Sequence, residues 1–157
     1  LVDRDGGKIK IREFEKAQNS IIGAVKGVSA QRSTNIPLKI LSFDYKGNFT
    51  TFDPELSGVT SEKYDNFVMG NILYHEIDEI HKNKNFVRVQ QEILEGVKNC
   101  QQNCTYWDFC GGGNPSNKLF EHNRLDATET MACRIHLKTL IDAVLDYLYN
   151  NVQIKIK

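Results

Sequence analysis

All four cysteines of this 157-residue chain lie in one stretch near its end. They are Cys100, Cys104, Cys110 and Cys133, with the spacing Cys-x3-Cys-x5-Cys-x22-Cys. Three thiols would come from a helix end and a loop, and the fourth from a distant helix. Thiolates brought together in this way usually hold a metal ion or cluster, so metal binding and folding would be coupled.

The spacing alone leaves the bound group open. A structural zinc site also uses four thiolates, but its usual signature is two C-x2-4-C knuckles, and the sequence has one such pair. A 4Fe-4S cluster takes one cysteine on each iron and suits the same set. Free thiols and disulfides are further alternatives. A redox-active dithiol would need a C-x-x-C pair, which the sequence lacks.

The residues around Cys110 fit a buried metal site. The glycines at 111–113 would let backbone amides approach a cluster and donate hydrogen bonds to sulfur, although a flexible turn has the same composition. They match neither GxxxxGK[ST] nor GxGxxG, which excludes a nucleotide loop. Three aromatic residues would exclude water from a cluster or pack in the core: Tyr106, Trp107 and Phe109.

The elements before the cysteines follow from apolar patterns. Helical spacing predicts an amphipathic helix over residues 12–25. Alternation on both sides of a polar turn predicts a β-hairpin over residues 38–52. Residues 28–36 are interpreted as a polar connector. The alternating segments 8–11 and 152–157 are interpreted as short strands.

Helices are predicted to carry the cysteines. Residues 76–82 form a short helical piece, and Asn85 caps a helix that ends at about residue 98 and delivers Cys100. Thr128 caps a last helix that carries Cys133. The result is an α+β fold, a β-hairpin followed by helices around a four-cysteine loop. The last helix would bury a broad apolar stripe: Met131, Ile135, Leu137, Leu140, Ile141, Val144, Leu145 and Leu148.

Composition narrows the class of protein. The 20 basic and 20 acidic residues balance, which argues against nucleic-acid and membrane-surface binding. No apolar run could span a bilayer and the polar start is no signal peptide, so we expect a cytoplasmic protein with reduced thiols. The chain starts without Met, and we expect it to be part of something longer.

The cysteine stretch resembles a known family. The pattern CxxxCxYWxFCGGGxPxNKLxE, followed by TET and a last cysteine, is similar to the SPASM domain of radical SAM enzymes that modify peptides. It looks most like the branch that matures ribosomally made peptides (RiPPs), including cyclophane-forming and glycine-rich-repeat maturases. GNFTTFDPELSG (47–58) and FVMGNIL (67–73) resemble segments of that branch.

The resemblance implies one auxiliary 4Fe-4S cluster, whose ligands would be Cys100, Cys104, Cys110 and Cys133. Relatives with two auxiliary clusters have further cysteines in a G-x4-C pattern and after the third ligand. Phe52 and Asn114 occupy those positions here, so a second auxiliary cluster is not expected. In some relatives an Asp beside the G-x4-C cysteine accepts a proton. Asp53 lies there, although it is better explained as a turn residue.

The radical chemistry itself is not expected from this chain. Such enzymes need a CxxxCxxC loop for a cluster that binds S-adenosylmethionine, and the sequence has none. S-adenosylmethionine and that second cluster would belong to a catalytic barrel before residue 1 or on another chain. The expected partners are this radical SAM domain, in cis or in trans, and a precursor peptide. The auxiliary cluster, saturated by four cysteines, would serve electron transfer, substrate-site shaping or fold stabilisation.

Two interpretations therefore stand. In the first, residues 1–37 form a strand/helix segment that could end the catalytic barrel, and residues 38–157 form the SPASM-like domain of an oxidoreductase. In the second, zinc staples a non-catalytic peptide- or protein-binding module.

Four residues at α-helical spacing could also hold a metal, but a solvated, charged helix face explains them better: His75, Asp78, Glu79 and His81. His122 could replace one thiolate in a zinc site, but is better explained as a surface loop residue. The roles of Lys118 and Glu121 are left open.

Overall fold

A computed structural model describes residues 11–151, so the strands predicted at either end lie outside the described residues, apart from Ile11, which precedes the first helix. The α+β fold class is confirmed. The helices are α1 (Arg12–Val25), α2 (Lys84–Asn103), α3 (Trp107–Cys110), α4 (Pro115–His122), α5 (Met131–Cys133) and α6 (Thr139–Asn151). The strands are β1 (Leu41–Phe43), β2 (Asn48–Thr51) and β3 (Gly70–Asn71). No helix within residues 11–151 is long and apolar enough to cross a bilayer.

The strands form an antiparallel sheet in the order β1-β2-β3. The predicted hairpin is confirmed, with Phe43 paired to Phe49. Its turn is held by Asp44, whose Oδ1 accepts hydrogen bonds from the amides of Lys46 (2.8 Å) and Asn48 (2.9 Å). Strand β3 was not predicted, because two residues are too few to show alternation.

The main core lies between the sheet, the turns that follow it and α2. Val89 and Ile93 on α2 are buried, whereas Leu94 is half exposed. Short 3-10 helices at Pro54–Leu56, Glu62–Phe67 and Ile77–Lys82 fold over this face of α2. The buried cluster is formed by Phe49, Phe52, Leu56, Tyr64, Phe67, Met69, Ile80, Phe86, Val89, Ile93, Leu119 and Leu125.

A smaller core joins α1 to the end of the chain. Helix α1 has the predicted bounds and packs on α3 and α6. Its buried residues Ala17 and Ile21 contact Ile141 of α6. The predicted stripe on the last helix is only partly buried, because the π-helical turn Arg134–Lys138 between α5 and α6 breaks the 3.6-residue period. Four of its residues are substantially exposed: Met131, Ile135, Leu145 and Leu148.

Two helix caps differ from the prediction. Helix α2 is capped by Asn83, whose Oδ1 accepts from the amides of Asn85 and Phe86, so Asn85 lies inside the helix. Helix α5 is capped by Thr130, whose Oγ1 accepts from the amide of Cys133 at 3.0 Å, in place of Thr128. In both cases two cap-forming residues lie two positions apart, and the spacing of apolar residues cannot choose between them.

Candidate metal centre

The four cysteines converge, as their spacing predicted. Cys100 lies in the last turns of α2, Cys104 directly follows that helix, and Cys110 and Cys133 end α3 and α5. All four line one small cavity of about 80 Å³. Cys100 and Cys110 are buried, the other two are half-buried, and all four are free thiols.

The thiols surround a cavity and are not gathered around a point. Within residues 11–151 no group of three or more His, Cys, Asp or Glu side chains is arranged to hold a metal ion. A tetrahedral zinc site, with zinc–sulfur bonds of about 2.3 Å, would bring its sulfurs to within about 3.8 Å of each other. The described side chains thus form a four-thiol cavity, not a closed single-ion site.

The thiols are in a poorly solvated environment. Burial raises the pKa of Cys100 and of Cys133. The Cys100 thiol donates long hydrogen bonds to the carbonyls of Gly112 (3.8 Å) and Thr128 (3.7 Å). Trp107 lines the cavity, the position expected of a residue that excludes water from a cluster. Tyr106 and Phe109 pack beside the smaller core, as expected of core residues.

The glycines after Cys110 let another segment approach. Gly111 and Gly112 have φ values of +67° and +103°, which disfavour any side chain. A Cβ on Gly111 would lie 2.2 Å from the carbonyl oxygen of Ala30. Part of the region interpreted as a connector therefore packs directly on the cysteine loop.

We call residues 29–35 the clamp segment, because their hydrogen bonds hold the cysteine loop. The Ala30 amide donates to the carbonyl of Asp108 at 3.0 Å. The buried Asn35 side chain donates from Nδ2 to the carbonyls of Gly111 (3.2 Å) and Gly113 (3.1 Å). These contacts join residues more than 70 positions apart, so no local pattern could have revealed them.

Arg32 in the clamp segment contacts a cysteine directly. Its Nε donates to the Cys110 carbonyl at 2.8 Å, and its Nη2 donates to the Cys110 sulfur at 3.6 Å. Its Nη1 donates to Asn114 Oδ1 at 3.1 Å. A guanidinium group thus lies against one of the four thiols, and no sequence pattern predicts this contact.

Lys118 and Glu121, whose roles the sequence left open, both lie on α4 and contact or approach the segments that carry the cysteines. Lys118 is buried, and burial lowers the pKa of its ammonium group, which nearby thiols partly offset. The Glu121 carboxylate accepts hydrogen bonds from the amides of Met131 and Ala132 at the start of α5, which lowers its pKa. Glu121 therefore anchors the helix that carries Cys133.

The other candidates lie elsewhere. The segment 77–82 is a 3-10 helix, so the α-helical spacing assumed for His75 and its neighbours does not apply; His75 Nδ1 instead contacts the backbone of Asn71. His122 Nε2 pairs with the carbonyl of Glu129 at 2.7 Å. Buried Asp53 accepts hydrogen bonds from the amides of Glu55 and Ser116, as a turn and cap residue.

Phe52 and Asn114, at the positions where a second auxiliary cluster would need cysteines, both have structural roles. Phe52 is buried in the main core and stacks on Phe86, with ring centroids 5.8 Å apart. Asn114 precedes α4 and accepts hydrogen bonds from the clamp segment. Neither position faces an additional group of thiols, since all four cysteines line the one cavity.

A larger cleft of about 930 Å³ adjoins the thiols. Cys110 and Cys133 line both this cleft and the small cavity. Its walls combine charged side chains of α1 and the clamp segment with apolar side chains of α3, the π-helical turn and α6, among them Arg12, Lys16, Arg32, Phe109, Leu137 and Leu140. The cleft has the size and mixed lining of a ligand site.

Comparison with known proteins gives one relative. The chain is 36% identical over 141 residues to a protein of Synechocystis that is described as uncharacterized. The match covers 90% of this chain and 35% of the relative, so the chain spans about a third of the length of that protein. No family model and no solved structure matches the chain.

Proposed function

We propose that the chain provides the auxiliary 4Fe-4S cluster domain of a radical SAM enzyme that modifies a ribosomally made peptide. One observation carries the proposal: cysteines from the end of α2, from α3 and from α5 line a single cavity. Their spacing and the surrounding residues resemble the SPASM pattern. The ligands are Cys100, Cys104, Cys110 and Cys133.

The donor set fits this group. Four thiolates are the usual ligands of a 4Fe-4S cluster, which binds each of them at a different iron. Four thiols that line one cavity provide one ligand for each of the four irons. When bound, the cluster supplies one-electron transfer and leaves no iron open to substrate.

The residues of the chain have separate tasks in this account. The clamp segment and Glu121 hold the loop and helix that carry Cys110 and Cys133. Trp107 restricts the access of water to the cavity. The adjoining cleft binds part of the precursor peptide within reach of the cluster. S-adenosylmethionine and its own 4Fe-4S cluster belong to the radical SAM domain, which acts in cis or in trans.

Metal analysis after anaerobic reconstitution tests this proposal. We expect about four irons and four sulfides per chain. Replacing any one of the four cysteines by Ser should reduce iron and sulfide, whereas His122→Ala, which changes a histidine between the ligands, should leave both unchanged. Stoichiometric zinc without sulfide would contradict the proposal and favour the zinc-stapled binding module.

A further inference from the structure

Lys118 is a buried cation beside the four thiols. Only 2% of its surface is exposed, which is rare for a lysine. Its ammonium group lies against Gly96 of α2, one helical turn before Cys100, and interacts electrostatically with Cys100, Cys110 and Cys133. Burying a positive charge costs free energy unless negative groups surround it. The groups around the Lys118 ammonium therefore determine whether its charge is stabilised.

Two glycines make room for this side chain. A Cβ on Gly96 of α2 would lie 2.8 Å from Lys118 Nζ, and a Cβ on Gly113 would lie 3.7 Å from its Cε. The lysine therefore extends from α4, past the glycine turn, to the wall of α2 that also carries Cys100.

The carboxylate that interacts with Lys118 is already paired. Asp126 interacts with Lys118, but both oxygens of its side chain accept hydrogen bonds from Arg124. The remaining groups that stabilise the lysine charge are thiols, and they do so fully when ionised. Four thiolates around a metal cluster would supply that negative charge.

Other cations near the cavity are differently placed. Lys138 forms an ion pair with Glu129 at 2.9 Å, so its charge is largely offset. Arg32 is half-buried and divides its donors between Cys110 and Asn114. Of these three cations, Lys118 is the one shielded from solvent, and its charge is therefore the least screened.

We propose that Lys118 places a fixed positive charge beside the four-thiol cavity and thereby raises the reduction potential of the bound 4Fe-4S cluster. The inference rests on the proposed function, because it requires that cluster. Reduction adds one electron, and a nearby positive charge stabilises the more negative state in a medium of low dielectric constant. Net charge and hydrogen bonds to sulfur are established determinants of cluster potential.

The test is a redox titration of the reconstituted protein with dithionite and mediators, monitored by electron paramagnetic resonance. Lys118→Met removes the charge and keeps an unbranched side chain of similar size. At the wild-type midpoint we expect a ratio of reduced to oxidised cluster that is about tenfold lower, a shift of about 59 mV to lower potential. Lys118→Arg, if it loads, should remain closer to wild type.

The matched control is Lys98→Met. Lys98 lies two residues from Cys100 but is exposed, so the loss of its screened charge should shift the potential much less. An equal shift in the two Met variants would contradict a specific role for Lys118. An unchanged potential in a Lys118→Met protein with wild-type iron and sulfide would overturn the inference and leave the proposed function intact.

The remaining outcomes are also decisive. If wild type takes up no iron and sulfide, the proposed function and this inference both fail. If Lys118→Met does not load, Lys118→Gln replaces it as the neutral variant. Failure of both neutral variants with loading of Lys118→Arg would support a need for charge, and failure of all three would show that the lysine acts by packing alone.

Discussion

The sheet and α2 form one region of the molecule, helices α1, α3, α5 and α6 form another, and the two are held together differently. In the first region, twelve buried residues form one continuous apolar cluster. In the second, the described buried cluster contains only Ala17, Ile21 and Ile141, supplemented by half-buried neighbours. Much of the order in the second region comes from hydrogen bonds of the clamp segment to the cysteine loop.

This difference indicates which region of the molecule a bound metal or cluster would stabilise. Burial of large apolar side chains can stabilise the first region without any ligand. The second region has a smaller apolar core and four thiols around a cavity, so metal binding there would contribute directly to folding. Three substitutions, taken from the largest expected effect to the smallest, test this contrast.

Phe49→Ala should have the largest effect, because Phe49 is fully buried in the main core. We expect the free energy of unfolding to fall by about 3–5 kcal/mol, measured by urea denaturation with circular dichroism. Phe43→Ala is the matched control: Phe43 pairs with Phe49 across the hairpin but is half exposed, and should cost about 1 kcal/mol or less. Similar losses in both variants would contradict the assigned core.

Asn35→Ala should have an intermediate effect on the second region. It leaves the carbonyls of Gly111 and Gly113 without their clamp partner, which should cost about 1–3 kcal/mol in the same assay. Thr34→Ala removes one longer hydrogen bond, 3.3 Å to Asn114, and should cost less. The clamp segment also predicts faster loss of iron to a chelator in Asn35→Ala. If Thr34→Ala loses iron as fast as Asn35→Ala, the clamp segment does not act as described.

Glu121→Gln should have the smallest effect, and that effect should depend on pH. Hydrogen bonds from the amides of Met131 and Ala132 lower the pKa of Glu121 below 4.5. Its contribution to stability is therefore present above the unfolded pKa and is lost as the pH falls through the lower folded pKa. Urea midpoints of wild type and variant should differ near pH 7 and converge in acid. A difference between the two urea midpoints that persists unchanged in acid would contradict this role of the Glu121 carboxylate.

The sequence predicted those features that depend on local patterns. Helix α1 and the hairpin follow from apolar period and turn residues, and the convergence of the cysteines follows from their spacing. The caps at Asn83 and Thr130 were misplaced by two residues, because each has a second cap-forming residue nearby. The π-helical turn at Arg134–Lys138 was missed, since nothing in the apolar spacing signals an added residue per turn.

The clamp segment shows why much of the site was not predictable. Arg32 and Asn35 read as ordinary polar connector residues, and their partners lie 76 to 82 positions later in the chain. The burial of Lys118 likewise depends on Gly96 of α2, which has no local relation to α4. Contacts of this kind are fixed by the packing of distant segments, and neither residue type nor period encodes them.

Native mass spectrometry of the anaerobically purified and reconstituted chain tests the central claim most directly. We predict one species whose mass exceeds that of the chain by a single 4Fe-4S cluster, and loss of that species in Cys110→Ser. A chain that carries one zinc ion, or that stays bare under conditions in which a known ferredoxin takes up its cluster, would contradict the account.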